Sequence, residues 1–224
     1  MSTRRAVKVQ LLGELAQLNR ALGTPARVEL LELLAQCERS VEVLANLAGL
    51  SVANASQHLR VLKRCGLVAS RREGQFVFYR LAGDEVVRLV ATMYAVALRT
   101  SPNVERLIEN YRKSTDALEP LGAADLLARV RAGTVTVVDV RPVEEYQAGH
   151  LPGAVSLPLA ELEERLHEIP EGREVVAYCR GVLCIQSMEA VAQMRASGRR
   201  ARRLEFGLPE WRSAGLPIES SGKS

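Results

Sequence analysis

Aromatic residues make up only 4% of this 224-residue chain, with a single Trp. Its cores must therefore be built from Leu, Val and Ala. Cysteine is scarce, with four in all, which excludes a disulfide-dense secreted scaffold. No run approaches the roughly 18 uninterrupted apolar residues that a membrane span needs. The first twenty residues, MSTRRAVKVQLLGELAQLNR, are basic early on, but Glu14, Gln17 and Asn19 break their apolar stretch. They read as an amphipathic helix rather than a signal peptide. These absences point to a reducing cytoplasm and to no membrane partner. Internal repeats and low-complexity tracts are also missing. No cysteine pair has the second pair or the histidines that would complete a zinc site, so neither metal nor cofactor is expected.

What is present is a soluble globular composition, 47% hydrophobic and 25% charged. The length allows two small domains. The net charge of +4 hides an asymmetry: residues 1–113 carry 17 Lys/Arg against 10 Asp/Glu, and residues 114–224 carry 13 against 16. The first half is thus the better candidate for a polyanion partner.

Helical spacing of Val9, Leu12, Leu15 and Leu18 predicts a helix over 6–21. Thr24-Pro25 looks like an N-cap with proline at the first helical position, opening a helix that ends near Cys37. A short helix runs from Val41 to Ala48. Ser51 caps the next, VANASQHLRVLKRC, which stops at Gly66. In LVASRREGQFVFYRLAG, β-branched and aromatic residues flank Glu73-Gly74, predicting a hairpin. Asp84 opens a long helix to about Leu98, Ser101-Pro102 interrupts, and helix resumes to Lys113. Residues 114–121 read as a linker between a domain at 1–113 and a second at 122–224. After it the pattern alternates. Helices are expected at ADLLARVRAG, LAELEERLHEI and IQSMEAVAQMRASG. Strands are expected at TVTVVDVR, EVVAYC and ARRLEF, and loop followed by strand at GHLPGAVSLP. Such alternation implies a parallel α/β sheet.

Two helices joined by a short glycine turn, followed by a hairpin, suggest a winged helix-turn-helix whose second helix enters the major groove. Ser51, Asn54, Ser56, Gln57 and His58 would lie nearest DNA and can bond base edges or phosphates. Arg60 and Lys63 add charge, while Ala55, Leu59 and Leu62 face the core. Arg71 and Arg72 on the hairpin suit phosphates or a narrow minor groove. The run from LSVANASQHLRVLKRCGLV to SRREGQFVFYRL resembles the ArsR-type winged-helix repressors over residues 6–100. That resemblance implies a homodimer built from the first helix and the helix after the wing. It also implies an inverted-repeat operator on double-stranded DNA and repression released by an inducer. Many members bind metal through cysteines on the helix VEVLANLA or through acid and histidine pairs on the dimer helix. The former has no cysteine here. The latter, DEVVRLVATMYAVALR, has no histidine and acids only at its start, which argues against a metal sensor of either type. Cys65, beside Gly66 at a helix end, is expected to be a buried small core residue, and Cys37 to be more exposed.

In VVAYCRGVLC, Cys179 ends a strand just before a helix. Ligand sites of parallel sheets collect there, and a loop in that place can form an anion nest that favours a thiolate. Gly181 would permit a tight curl, Arg180 would add charge, and Val182 and Leu183 would form an apolar rim. The residues alone leave a plain core cysteine open. The C-x4-C spacing of Cys179 and Cys184 is not the C-x-x-C redox motif. Together with VVDVRPVEEYQAGHLPGAVSLPLAEL and RRLEFGLPEWRSAGLPIE, this stretch resembles a single rhodanese domain over about 119–219. The resemblance implies a sulfurtransferase fold in which Cys179 becomes a persulfide cradled by the loop from Cys179 to Cys184. Asp139, Arg141 and His150 would support the loop, and Trp211 would pack the final turn. Many thiosulfate-using rhodaneses carry a basic residue where this loop has Cys184. That cysteine puts thiosulfate turnover in doubt and offers a resolving thiol.

The sequence therefore suggests a mainly α winged helix-turn-helix domain followed by an α/β rhodanese-like parallel sheet. The expected protein is a dimeric repressor that senses reactive sulfur from a small donor or thiol through Cys179, Arg180 and Cys184. Two alternatives remain: a working sulfurtransferase with an autoregulatory DNA-binding module, and an arsenite-type dithiol sensor.

Overall fold

A computed structural model describes residues 3–114, 120–181 and 184–221, the side chains of 111–114 excepted. Part of the expected linker, residues 115–119, lies outside the described residues, as do Val182 and Leu183. The chain divides into two compact units after Val87.

The first unit opens with α1 (Thr3–Leu22), α2 (Pro25–Gln36), a two-residue β1 (Arg39–Ser40) and α3 (Val41–Leu47). It continues with α4 (Val52–Arg64), β2 (Val68–Glu73) and β3 (Phe76–Leu81). Ser40 Oγ accepts from Val43 N, and Ser51 Oγ accepts from Asn54 N at 3.2 Å, so the starts of α3 and α4 are held by hydroxyl caps. Thr24 departs from expectation. It occupies the N-cap position before Pro25, but its side chain makes no capping bond. Its carbonyl instead accepts from Arg27 N and Val28 N. Ala55, Leu59 and Leu62 are buried on α4 as their spacing predicts, as are Leu30 and Leu34 on α2 and Leu44 on α3, the helices that α4 packs against. The β2–β3 hairpin closes on Glu73↔Phe76. Gly74 there has φ +60°, the positive φ that a two-residue hairpin loop requires. β1 adds to β3, giving the antiparallel order β1-β3-β2. Along α1, Val7, Leu11, Leu12 and Leu15 stay exposed in the single chain.

The division falls inside α5 (Asp84–Thr100), which is followed by α6 (Pro102–Ser114). The second unit then runs α7 (Ala123–Arg131), β4 (Val135–Asp139), α8 (Val143–Ala148), β5 (Val155–Ser156) and α9 (Leu162–Arg165). It ends with β6 (Glu174–Tyr178), α10 (Ile185–Ala196), β7 (Ala201–Arg203) and α11 (Leu208–Ser213). The sheet is parallel, in the order β5-β4-β6-β7. Period-two alternation on β6 sends Val175, Ala177 and then Cys179 into one apolar cluster with Val191 and Met194. It sends Val176 and Tyr178 into the other, with Leu126 and Trp211. Where one helix was expected at LAELEERLHEI, α9 covers four residues between 3₁₀ turns at Leu159–Glu161 and Leu166–Glu168. The three-residue spacings Leu159–Leu162 and Leu166–Ile169 match the 3₁₀ period. Two short helices, α8 and α11, were not foreseen. Among the described residues no helix is long and apolar enough to cross a membrane.

Candidate functional site

Cys179 follows the C-terminal end of β6, flanked in the sheet by β4 and β7, and is 2% exposed. The chain then turns through Arg180 and Gly181 and returns to Cys184, the N-cap residue of α10. Cys184 N donates to Gly181 O at 3.0 Å, and Ser187 Oγ donates to Cys184 O at 3.0 Å. Cys179 and Cys184 are joined as a disulfide, with Cα atoms 6.2 Å apart. That separation lies within the ordinary range for such a bridge. Gln186, in the first turn of α10, brings Oε1 to 3.3 Å from Cys179 Sγ.

Arg180 is not a loose positive charge beside the thiol. Its Nε donates to both oxygens of Glu145 at 3.1 Å, and its Nη2 donates to Oε1 at 2.6 Å. The Glu145 side chain is fully buried. The bidentate pair fastens the loop to α8 and balances the guanidinium with a carboxylate. Gly181 likewise serves a purpose other than positive φ: a Cβ there would sit 3.2 Å from Glu210 Oε1. At Gly207 the approach is closer. A Cβ would lie 2.4 Å from both Arg180 C and Gly181 N, so only glycine lets the start of α11 rest on the loop's main chain. Glu210 secures that start by accepting from Gly207 N at 3.0 Å.

Beneath the loop lies a buried polar network. Arg141 Nε donates to Asp139 Oδ1 at 2.9 Å, and Arg141 Nη2 donates to Asp139 Oδ2 at 2.6 Å and to Gly149 O at 2.7 Å. The Tyr178 hydroxyl donates to Asp139 and accepts from Leu151 N. Burial, followed by the Asp139 carboxylate, pushes the Tyr178 phenol up, so it stays a donor. Burial alone would lower Arg141, but the bonds to Asp139 outweigh it and hold the guanidinium charged. His150 stacks on Tyr146 with ring centroids 3.8 Å apart and places Nδ1 2.8 Å from Tyr146 O. Trp211 is buried and donates Nε1–H to Pro217 O at 2.7 Å.

In the first unit, Ser51, Asn54, Gln57, Arg60 and Lys63 are exposed along α4, while Ser56 and His58 are half-buried. Lys63 Nζ donates to Ser70 Oγ at 2.6 Å, tying helix to wing. Arg71 pairs with Glu38 and Glu73 and lies over the Phe78 ring. Arg72 Nε donates to Gly74 O at 3.2 Å. Cys65 is half-buried rather than buried, because it ends α4 where the chain turns at Gly66. It lines an open cleft of about 320 Å³ with Gln17, Arg20, Ala21, Val61 and Arg64. Cys37 is also half-buried.

Sequence reasoning missed Glu145, Gln186, Gly207 and Glu210. Pro142 followed by two acids is a helix-start signal that could have located α8. Nothing local distinguishes Glu145 from its exposed neighbour Glu144.

The family model described as bacterial regulatory protein, arsR family, matches residues 24–70, and that of the rhodanese-like domain matches residues 122–214. The HTH-type transcriptional regulator Rv0324 of Mycobacterium tuberculosis is 45% identical over 212 residues, covering 95% of this chain and 93% of the relative. A sulfurtransferase of Allochromatium vinosum is 38% identical over 85 residues, covering 38% of this chain and 78% of its own. Among solved structures, the homodimeric winged helix-turn-helix DNA-binding domain of a Mycobacterium bovis protein is 41% identical. It covers 46% of this chain and 93% of that one, with a TM-score of 0.41.

Proposed function

Because the chain belongs to the transcriptional regulators that join an ArsR-family helix-turn-helix domain to a rhodanese-like domain, we propose that it is a cytoplasmic, homodimeric repressor switched by reactive sulfur at Cys179. The domains are assigned to 1–113 and 122–224, with 114–121 as the connection. α4 reads the operator through Asn54, Gln57 and their neighbours Ser51, Ser56 and His58, while Arg60, Lys63, Arg71 and Arg72 meet phosphates. Arg71 must then exchange Glu38 or Glu73 for DNA. The exposed apolar residues of α1 support pairing with a second copy.

The observation that carries the switch is a two-thiol loop in bonding contact, on the same chain as a DNA reader. The Cys179 thiolate attacks the outer sulfur of a donor persulfide. Cys179 gains that sulfur as a persulfide, and the donor leaves as its thiol. Cys184, losing its proton, then attacks Cys179 Sγ and expels hydrosulfide. The sulfane sulfur is reduced, and the two cysteines are oxidised to the disulfide. Arg180 acts here as a positioning residue, holding the loop to Glu145. The switch requires that the oxidised and reduced forms differ in DNA affinity.

The test is a DNA-binding titration against the upstream region at fixed salt. It uses reduced and polysulfide-treated protein, with mass analysis of Cys179 peptides. A Cys179 persulfide, or the Cys179–Cys184 disulfide it resolves to, together with a fall in affinity that Cys179→Ser abolishes is the expected result. Sulfur uptake with unchanged affinity overturns the switch. It would favour the second reading, a sulfurtransferase carrying an autoregulatory DNA-binding module, which the likeness to the Allochromatium sulfurtransferase supports.

A further inference from the structure

Residues 114–224 carry more acids than bases, yet one end of their sheet is basic. The Cys179 loop leaves the C-terminal ends of the parallel strands. At the opposite end, Val175 N donates to Arg200 O at 2.8 Å, which brings the beginnings of β6 and β7 side by side. Arg129, in the last turn of α7, pairs with Glu174 on β6. Arg202 on β7 places Nε 3.3 Å from the same carboxylate. Arg199 donates to neutral carbonyls, Pro170 O and Leu166 O, rather than to a carboxylate. Arg173 and Arg200 stand exposed in the turns that lead into β6 and β7. Glu171 and Glu174 are the acids of these strand starts and turns, fewer than the five guanidiniums. Cations near the ends of α7 and α10 complement helix dipoles, but Arg173 and Arg200 lie outside any helix and have no such explanation.

We infer that this arginine end of the sheet binds the phosphate backbone of DNA flanking the operator. Guanidinium forks match phosphate in geometry and charge. The duplex is already held by α4 on the same chain, so a second contact forms at high effective concentration. Phosphate contact and sulfur chemistry occupy opposite ends of one sheet and do not compete for space. This inference rests on the DNA-binding reading above.

The test uses the full chain, an Arg173→Ala/Arg200→Ala variant, and two duplexes: the upstream region with long flanks and the same region trimmed. The slope of log affinity against log salt is measured for each. On the long duplex the variant should lose about 2 from the slope per protomer, about 4 for the bound homodimer, and bind at least about tenfold more weakly at moderate salt. On the trimmed duplex the difference should vanish. Sulfur uptake at Cys179 and the melting temperature should match those of the unaltered chain. If the variant keeps the unaltered slope and affinity on the long duplex, the proposal is overturned, and the arginines are left for an acidic protein partner. If the unaltered chain binds neither duplex, the DNA-binding reading falls as well, which separates the two failures.

Discussion

On α4, Asn54, Gln57 and Arg60 stand in solvent, fixed only by the helix that carries them. Around Cys179, Arg180 is clamped to buried Glu145, and Asp139, Arg141 and Tyr178 are closed off beneath the loop. In the proposed role, Asn54 and Gln57 must trade water for donors and acceptors in the groove and Arg60 must trade it for phosphate, which side chains still in solvent can do. A loop proposed to hold one sulfur atom must be set before a donor arrives. Its geometry is therefore fixed by bonds already made inside the protein.

The contrast can be broken at its strongest point first. Arg141→Ala leaves Asp139 as an uncompensated buried charge and should destabilise the second unit by about 3–5 kcal/mol. Thermal melting should show that transition lost or shifted far down, while that of the winged-helix unit persists. Asn54→Ala and Gln57→Ala should leave melting unchanged and each remove about 1–3 kcal/mol of discrimination between operator and random duplex. Competition binding at fixed salt checks this. Ser51→Ala, which removes the cap of α4, should cost about 1 kcal/mol of stability in the first unit, read by chemical denaturation. Arg165→Ala is the smallest. It removes surface pairs with Glu161 and Glu168 and a 3.3 Å bond to Ser156 O, and should lower stability only slightly, read as a small shift in melting temperature.

What the sequence made legible follows the same contrast. α4, the hairpin and β6 carry their periodicity in consecutive residues, so the positions of Leu59, Leu62 and Cys179 could be read from spacing alone. The clamp on Arg180 could not, because Glu145 is 35 residues away in sequence and lies on a helix of six residues, too short to show a period. Gly207 reads as an ordinary turn residue until the chain folds it onto Arg180. Cys65 was misjudged because hydrophobic character says little about a residue at the last turn of a helix, where the chain itself swings aside.

Gly207 also sets a direction for whatever happens at the sulfur. One side of the loop is welded, main chain against main chain, with no side chain that could yield by rotating. The other side ends at Cys184, which is at once the partner of Cys179 and the N-cap residue of α10. A door with one edge fixed to the frame swings only at the other. Under the proposed switch, making or breaking the bond between the two sulfurs should therefore be felt first at the head of α10, which would make the loop a one-way lever.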